Sequence, residues 1–271
     1  MWGRCLCATT VASCSLLDVG SLQSDKDSGR ADSSPEATTA DVATDSPLSG
    51  DAGLDADFSC NAKDLLGFWR ASEGSGQTYI DCTTNHFDAK ILGGPPWTLV
   101  GRDGKRPSVK YNGSNDYAEL DYAGLLVSGA FSVSLWTYET DTDGTLMGRA
   151  SQQVNWIGWL LEYETAGTNF RVGPVQISGP PLAKSTWVHV AAVYAPSSSM
   201  DLYIGGKRVA SQTSGVPASV PAASTREHMA FIPTPGLDGS TPYHHLAGGL
   251  QDIRFYGAAI SAETIAALAL E

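Results

Sequence analysis

Residues 185–211, STWVHVAAVYAPSSSMDLYIGGKRVAS, decide the fold class of this 271-residue chain. The run 187–194 has apolar residues on both of its faces, which predicts a central strand that is covered on both sides. Residues 200–204 and 207–211 are two more strand-like runs, and the Gly205-Gly206 pair between them is typical of a hairpin loop with positive φ angles. Three short strands joined by turns indicate an all-β protein.

The rest of the chain supports the same interpretation. Apolar and polar residues alternate in the run 131–138, which predicts a strand with one core face. Near the C-terminus, Ser261 offers an N-cap oxygen and Glu263 lies in the first turn before an apolar stripe, which predicts one short closing helix. Residues 60–271 are therefore predicted to form one antiparallel β-sandwich, long enough to bury a complete core.

Five blocks carry a family resemblance. They are LLGFWRASEGSGQTYIDCTTNH (65–86), KYNGSNDYAEL (110–120), FSVSLWTYE (131–139), the stretch 185–211 and GGLQDIRFYGAAISAETIAAL (248–268). In this order they resemble the laminin-G-like branch of the concanavalin A-like lectin/glucanase superfamily. The resemblance implies a jelly-roll β-sandwich that binds something outside the cell, often with a calcium ion, but it does not name the ligand.

Residues 15–59 have a different composition. Acidic residues far outnumber Lys26 and Arg30 there and contribute most of the formal net charge of −12. Such a stretch cannot bury enough apolar surface to fold, so it is predicted to be a disordered, self-repelling tether. The remaining sequence has no basic patch, and nucleic acid is therefore not expected as a partner.

Residues 1–14, MWGRCLCATTVASC, resemble a short bacterial lipoprotein signal. Arg4 precedes a short apolar stretch, and residues 11–14 resemble a lipobox in which Cys14 would carry the lipid. The resemblance implies an outer-membrane or cell-surface protein that contacts the membrane only through this N-terminal anchor. A soluble secreted protein and a wrongly assigned start codon are the alternatives.

Cysteine usage agrees with export. Once the signal is removed and Cys14 carries lipid, Cys60 and Cys82 remain as an even pair, which should form a disulfide in an oxidising compartment. The closed loop would contribute about 3 kcal/mol in the chain-entropy model. Two free thiols are the alternative, and a zinc site at these cysteines is not expected because no CxxC pair is present.

The resemblance also implies a structural calcium site assembled from three segments. They are matched by Asp81 with Asn85, by Asn115 with Asp116, and by Asp252, which follows a glutamine where the family has an acidic residue. Calcium needs about six to eight oxygen ligands, so these segments would have to converge. Asx residues in Gly-rich loops are also ordinary turn formers, and plain turns are the alternative.

A ligand surface is expected from residues outside the five blocks, namely Trp97, Trp156, Tyr243 and His244. Exposed aromatic rings suit stacking on sugar rings, although such rings also serve as plugs under loops. A metal site made by His244 and His245 is disfavoured, because adjacent residues of a strand point to opposite faces.

Enzymatic activity is not expected from the sequence. The retaining glucanases that the chain resembles carry their two carboxylates in a Glu-x-Asp-x-x-Glu run, and no such run occurs here. Glu162 and Glu164 share one strand face but are interpreted as solvent-facing charges. The sequence thus predicts a non-catalytic extracellular binding module with a glycan as its leading ligand. An extracellular protein ligand is the runner-up, and a divergent glycoside hydrolase comes third.

Overall fold

The structure is a computed structural model that describes residues 59–120, 125, 127–152, 156–222, 227–229 and 244–271. Chain contacts define two units, residues 1–50 and 51–271, of which the first lies outside the described residues. Cys14, nearly all of the predicted tether and Tyr243 also lie outside them, so the expectations for these residues stay predictions.

The described part of the chain contains seventeen strands and one helix. They are β1 (Leu65–Trp69), β2 (Thr78–Tyr79), β3 (Ala89–Leu92), β4 (Leu99–Val100), β5 (Pro107–Ser108), β6 (Tyr111–Asn112), β7 (Tyr117–Leu120), β8 (Phe131–Glu139), β9 (Gly144–Gln152), β10 (Trp156–Glu164), β11 (Gly167–Val172), β12 (Val175–Gly179), β13 (Trp187–Ala195), β14 (Ser199–Ile204), β15 (Lys207–Gln212), β16 (Glu227–Met229), β17 (Ala247–Tyr256) and α1 (Ala262–Leu268).

These strands form two large antiparallel sheets. A seven-stranded sheet has the order β1-β17-β8-β13-β14-β15, with β6 also paired to β17, and an eight-stranded sheet has the order β12-β11-β10-β9-β16-β7-β3-β2. Strands β4 and β5 form a separate small ladder. The prediction of an antiparallel β-sandwich with one C-terminal helix is therefore confirmed.

The core lies between the two sheets and is rich in aromatic side chains. Phe131 of the seven-stranded sheet has its ring centroid 5.1 Å from that of Trp159 and 6.0 Å from that of Phe170, both in the eight-stranded sheet. All three residues are buried, because the alternating apolar positions of each strand face the other sheet. No helix in the described residues is both long and apolar enough to cross a membrane.

The elements predicted around residues 185–211 are present. Strand β13 lies between β8 and β14, and Gly205 and Gly206 connect β14 to β15 with φ angles of 57° and 75°. Helix α1 begins after Ser261, whose side chain accepts a hydrogen bond from the Thr264 backbone N–H, as expected of an N-cap. Ile265 of this helix packs on the outer face of the seven-stranded sheet.

The two ends of the folded region meet. Strand β1 pairs with β17, so the first and last strands are neighbours. A disulfide joins Cys60 to Cys82, with a Cα–Cα distance of 5.4 Å, and ties the residues before β1 to the segment after β2. The predicted disulfide is therefore part of the structure.

Candidate functional site: a polar face of the eight-stranded sheet

Strands β10, β11 and β12 carry polar side chains on the face that points away from the core. Their inward residues, such as Leu161, Phe170 and Ile177, belong to the buried cluster between the sheets. Since side chains alternate along a strand, the residues between them point outward. We call the following six outward residues the polar face: Glu162, Glu164, Asn169, Arg171, Gln176 and Ser178.

The polar face is organised by strand register and hydrogen bonds. Glu162 pairs with Asn169 and Asn169 pairs with Ser178, which forms one row across the three strands. Ser178 Oγ donates to Asn169 Oδ1 at 2.7 Å and accepts from Gln176 Nε2 at 3.2 Å. Arg171 donates to Gln176 Oε1 in the adjacent row. Donors and acceptors are thus fixed in place before any ligand arrives.

Burial increases along the row from Ser178 through Asn169 to Glu162, that is, from the edge strand inward. Ser178 on β12 is exposed, Arg171 is half-buried, and Asn169 and Glu162 are buried. Burial lowers the pKa of Arg171, while the nearby carboxylates of Glu162 and Glu164 raise it in part.

Glu162 is the most unusual member of this face. Only 4% of the residue is exposed, and burial, followed by the charge of Glu164, raises its pKa to about 7. Its Oε2 lies 3.8 Å from Nδ1 of His244. The interpretation of Glu162 as a solvent-facing charge is therefore wrong, because neighbouring side chains, including those of His244 and Glu164, lie against it on this face.

His244 reaches this site from the segment that precedes β17. Its carbonyl oxygen accepts a hydrogen bond from the Thr145 backbone N–H at 2.9 Å, which fixes the segment beside β9. Its φ angle of 56° lies in the left-handed region, where histidine is found more often than most residues. Burial lowers the pKa of His244, while nearby carboxylates, first among them Asp143, raise it in part.

The expected calcium ligands lie elsewhere and already have partners. Both carboxylate oxygens of Asp81 accept hydrogen bonds: Oδ1 from the N–H groups of Phe68 and Thr83, and Oδ2 from Thr83 Oγ1 and the Phe87 N–H. Asn85 is exposed, and its side-chain amide donates to the Leu66 carbonyl. Asp81 thus organises the turn that follows the short second strand.

One of the other two calcium segments lies at the start of β17, and the other lies near the middle of this strand. Asn115 and Asp116 belong to a turn organised by Asn112, which pairs with Ala247 at the start of the strand. Asp252 lies five residues further on, roughly 16 Å along an extended strand, and forms an ion pair with Arg102 at 2.5 Å. The three segments do not form one cage. Calcium binding stays a prediction, which a calcium-dependent rise of the melting temperature would support.

The expected aromatic ligand residues do not come together either. Trp97 packs edge-to-face on Tyr79, with centroids 5.8 Å apart, and its indole N–H donates to the Gly76 carbonyl at 3.0 Å. Trp156 is the first residue of β10, and its side chain lies outside the described residues. Of this group, His244 is the residue that the structure places beside the polar face.

An apolar cavity offers a second candidate site. It has a volume of about 240 Å³ and is lined by residues that include Val127, Arg149, Trp159 and Val220. Ligand pockets commonly have volumes of about 300–1,000 Å³ and a few convergent polar groups. The small size and mainly apolar lining make this cavity a poorer match for a sugar than the polar face.

A laminin G family model, described as the concanavalin A-like lectin/glucanases superfamily, matches residues 112–266. The match covers more than half of the chain, and the chain therefore belongs to this superfamily. A comparison with curated proteins gave no match.

Solved structures with the same fold include sialidases and toxin binding domains. The chain is similar to a Trypanosoma rangeli sialidase in complex with sialic acid, with 15% identity, a TM-score of 0.54 and coverage of 76% of this chain and 33% of the sialidase. It is also similar to the binding domain of Botulinum Neurotoxin DC in complex with SialylT, with 12% identity, a TM-score of 0.54 and coverage of 78% and 52%. The chain thus spans about a third of the former and half of the latter, and the likeness concerns the fold alone.

The expectation that the chain is not an enzyme has to be corrected. The fold is compatible with either class, because sialidases appear beside toxin binding domains among its structural neighbours. The absence of the Glu-x-Asp-x-x-Glu sequence of the retaining glucanases therefore does not exclude catalysis. Glu162 and Glu164 are also a close carboxylate pair, which had been interpreted as surface charge.

Sequence reasoning recognised parts of this site but not the whole. The spacing of Glu162 and Glu164 by two residues was visible, and so was His244 as a candidate ligand residue. Nothing in the sequence indicated that residue 244 lies beside β9, since that placement depends on how the chain returns to β17. Asn169, Arg171, Gln176 and Ser178 were missed, although alternation along β11 and β12 was the signal that could have found them.

Proposed function

We propose that this chain is a carbohydrate-binding protein whose glycan lies on the polar face of β10, β11 and β12. The observation that carries the proposal is the preorganised row of Glu162, Asn169 and Ser178, extended by Arg171 and Gln176. Carboxylate, amide, guanidinium and hydroxyl groups together supply the donors and acceptors that sugar hydroxyls require. The superfamily and the glycan complexes of its structural neighbours support the same class of ligand.

The charge of the face argues for a neutral glycan. Glu162 and Glu164 lie on the face, Asp143 acts on Glu162 as a further negative charge, and Arg171 is the cation among them. An anionic sugar would meet net repulsion from these carboxylates. We therefore propose that neutral glycans bind better than sialylated ones, in contrast to the neighbours whose structures contain sialic acid or SialylT.

A glycan microarray with the full chain tests this proposal. Binding to neutral glycans is expected, and Gln176→Ala should weaken it at least about tenfold, or about 1.4 kcal/mol. Gln212→Ala is the matched control, because Gln212 occupies the edge strand of the other sheet. Equal losses in both variants would contradict the proposed surface. Absence of any glycan binding would overturn the function and favour a protein ligand.

We further propose that the domain acts outside the cell, held there by lipid on Cys14. The lipobox-like sequence and the disulfide between Cys60 and Cys82 support this location, since disulfides persist in oxidising compartments. Cys14→Ala should move the protein out of the membrane fraction, because stable anchoring requires attached lipid chains. An unchanged membrane fraction would reject the anchor.

A further inference from the structure

Three side chains at the inner end of the polar face converge on one point. The ligand atoms of Glu162, Glu164 and His244 all lie within 4.8 Å of one another. Two ligands bonded to one ion at about 2.1 Å can be at most about 4.2 Å apart, so small side-chain rotations would bring them into range. The 3.8 Å between Glu162 Oε2 and His244 Nδ1 is too long for a hydrogen bond but suits two ligands of one ion.

Thr145 gives an independent indication that something binds here. It is fully buried and pairs with Glu162 across β9 and β10, so its side chain lies on the same face as that carboxylate. Within the described residues, its Oγ1 has no hydrogen-bond partner. A buried hydroxyl without a partner costs about 1–3 kcal/mol. A ligand or a bound water at the convergence point would satisfy it.

The three side chains are also held by well-supported backbone. Glu162 and Glu164 lie on β10, where Glu162 is paired on both sides, to Thr145 and to Asn169. His244 is attached to β9 through the hydrogen bond from the Thr145 N–H to its carbonyl oxygen. Sites built on paired strands keep their geometry better than sites on loose loops. A cation would also relieve the repulsion between the two carboxylates.

We infer that Glu162, Glu164 and His244 bind one divalent transition-metal ion, with Zn²⁺ as the best match. One imidazole and two carboxylates form a mixed nitrogen and oxygen donor set that suits Zn²⁺, whereas Ca²⁺ takes oxygen ligands. Three protein ligands would leave a coordination position open. This site is distinct from the expected calcium residues, and it can be tested apart from the proposed glycan binding, because the metal alone can be titrated. The proposed preference for neutral glycans applies to the metal-free face, since a bound Zn²⁺ would offset the charge of the two carboxylates.

Isothermal titration of the full chain with Zn²⁺ at pH 7.5 tests the inference. Any free thiols outside the disulfide are first alkylated, because thiolates also bind zinc. One ion per chain is expected, and Glu162→Gln and His244→Gln should each weaken its affinity at least about tenfold. Millimolar Ca²⁺ or Mg²⁺ should not compete.

The matched control is His228→Gln. His228 lies on the same sheet and has its Nε2 at 3.8 Å from Glu119 Oε2. The two form a histidine–glutamate pair that belongs to no group of three metal-ligating side chains among the described residues. This variant should bind Zn²⁺ like the wild type. Glu164 lies at the half-exposed end of β10, and Glu164→Gln should also lose affinity for Zn²⁺. This variant stays informative if the substitutions at the buried residues impair folding. Melting curves without metal will reveal such an impairment. Wild-type affinity in Glu164→Gln, or no zinc binding at all, would overturn the inference.

Discussion

Glu139 is a buried carboxylic acid at the end of β8. The residue is 2% exposed, and its Oε1 has no hydrogen-bond partner among the described residues. Burial raises its pKa to about 7, and the charge of Lys184 lowers it only in part. Because the folded protein holds this proton more tightly than the unfolded chain does, Glu139 links stability to pH.

The free energy of unfolding should decrease as the pH rises from about 4.5 to about 7. The contribution of Glu139 is fully present below its unfolded pKa of 4.5 and is lost as the pH passes its folded pKa of about 7. It amounts to at most about 3 kcal/mol. Glu139→Gln should remove this part of the decrease, which denaturant titrations at several pH values would measure.

Glu263→Gln is the control for this measurement. Glu263 is exposed in the first turn of α1, and hydrogen bonds to the backbone and to Ser261 lower its pKa, so its contribution has the opposite sign. If the free energy of unfolding of the wild type and of Glu139→Gln changed in parallel with pH, Glu139 would not be the cause of the decrease.

At the scale of elements, the segment around residues 81–88 is held by covalent and polar contacts. Asp81 satisfies three backbone N–H groups, and the disulfide links this segment to the start of β1. Cys60 and Cys82 also pack against a small buried cluster that includes Leu65 and Leu268. The bridge therefore ties the residues before β1 to the segment after β2, and it packs beside Leu268 of the C-terminal helix.

Removal of the disulfide should destabilise the sandwich without changing its fold. Cys60→Ala combined with Cys82→Ala should lower the free energy of unfolding by about 3 kcal/mol, because the unfolded chain regains the entropy of an open loop. Each single substitution should lower the free energy of unfolding nearly as much as the double substitution, since either one breaks the same bridge. Two thiols that alkylate without reduction in exported protein would contradict the bridge itself.

At the scale of the whole molecule, the outer faces of the two sheets differ. Helix α1 covers part of the seven-stranded sheet, where Ile265 packs on Ala191, Val193 and Tyr203. The polar residues on the outer face of that sheet, such as Ser134 and His189, are buried. On the eight-stranded sheet, by contrast, Ser178 is exposed, and Gln176 and Glu164 are partly exposed. This asymmetry is why we assign ligand binding to the second sheet.

The fold could be predicted from the sequence because its signals are local. The two-sided apolar run of β13, the Gly205-Gly206 turn and the Ser261 N-cap each depend on a few neighbouring residues. The site could be predicted only in fragments, because His244 joins Glu162 across about eighty residues of chain. Asp81 and Asp252 resembled metal ligands in sequence, but only the fold reveals the N–H groups and Arg102 that they contact.

NMR of the ¹⁵N-labelled chain, during titration with a glycan identified on the array, would locate glycan binding on the polar face. We expect the largest amide shifts in residues 160–178, which include the polar face, and little change in β13–β15. Shifts concentrated around Val127, Val220 and the apolar cavity, or on the seven-stranded sheet, would contradict it.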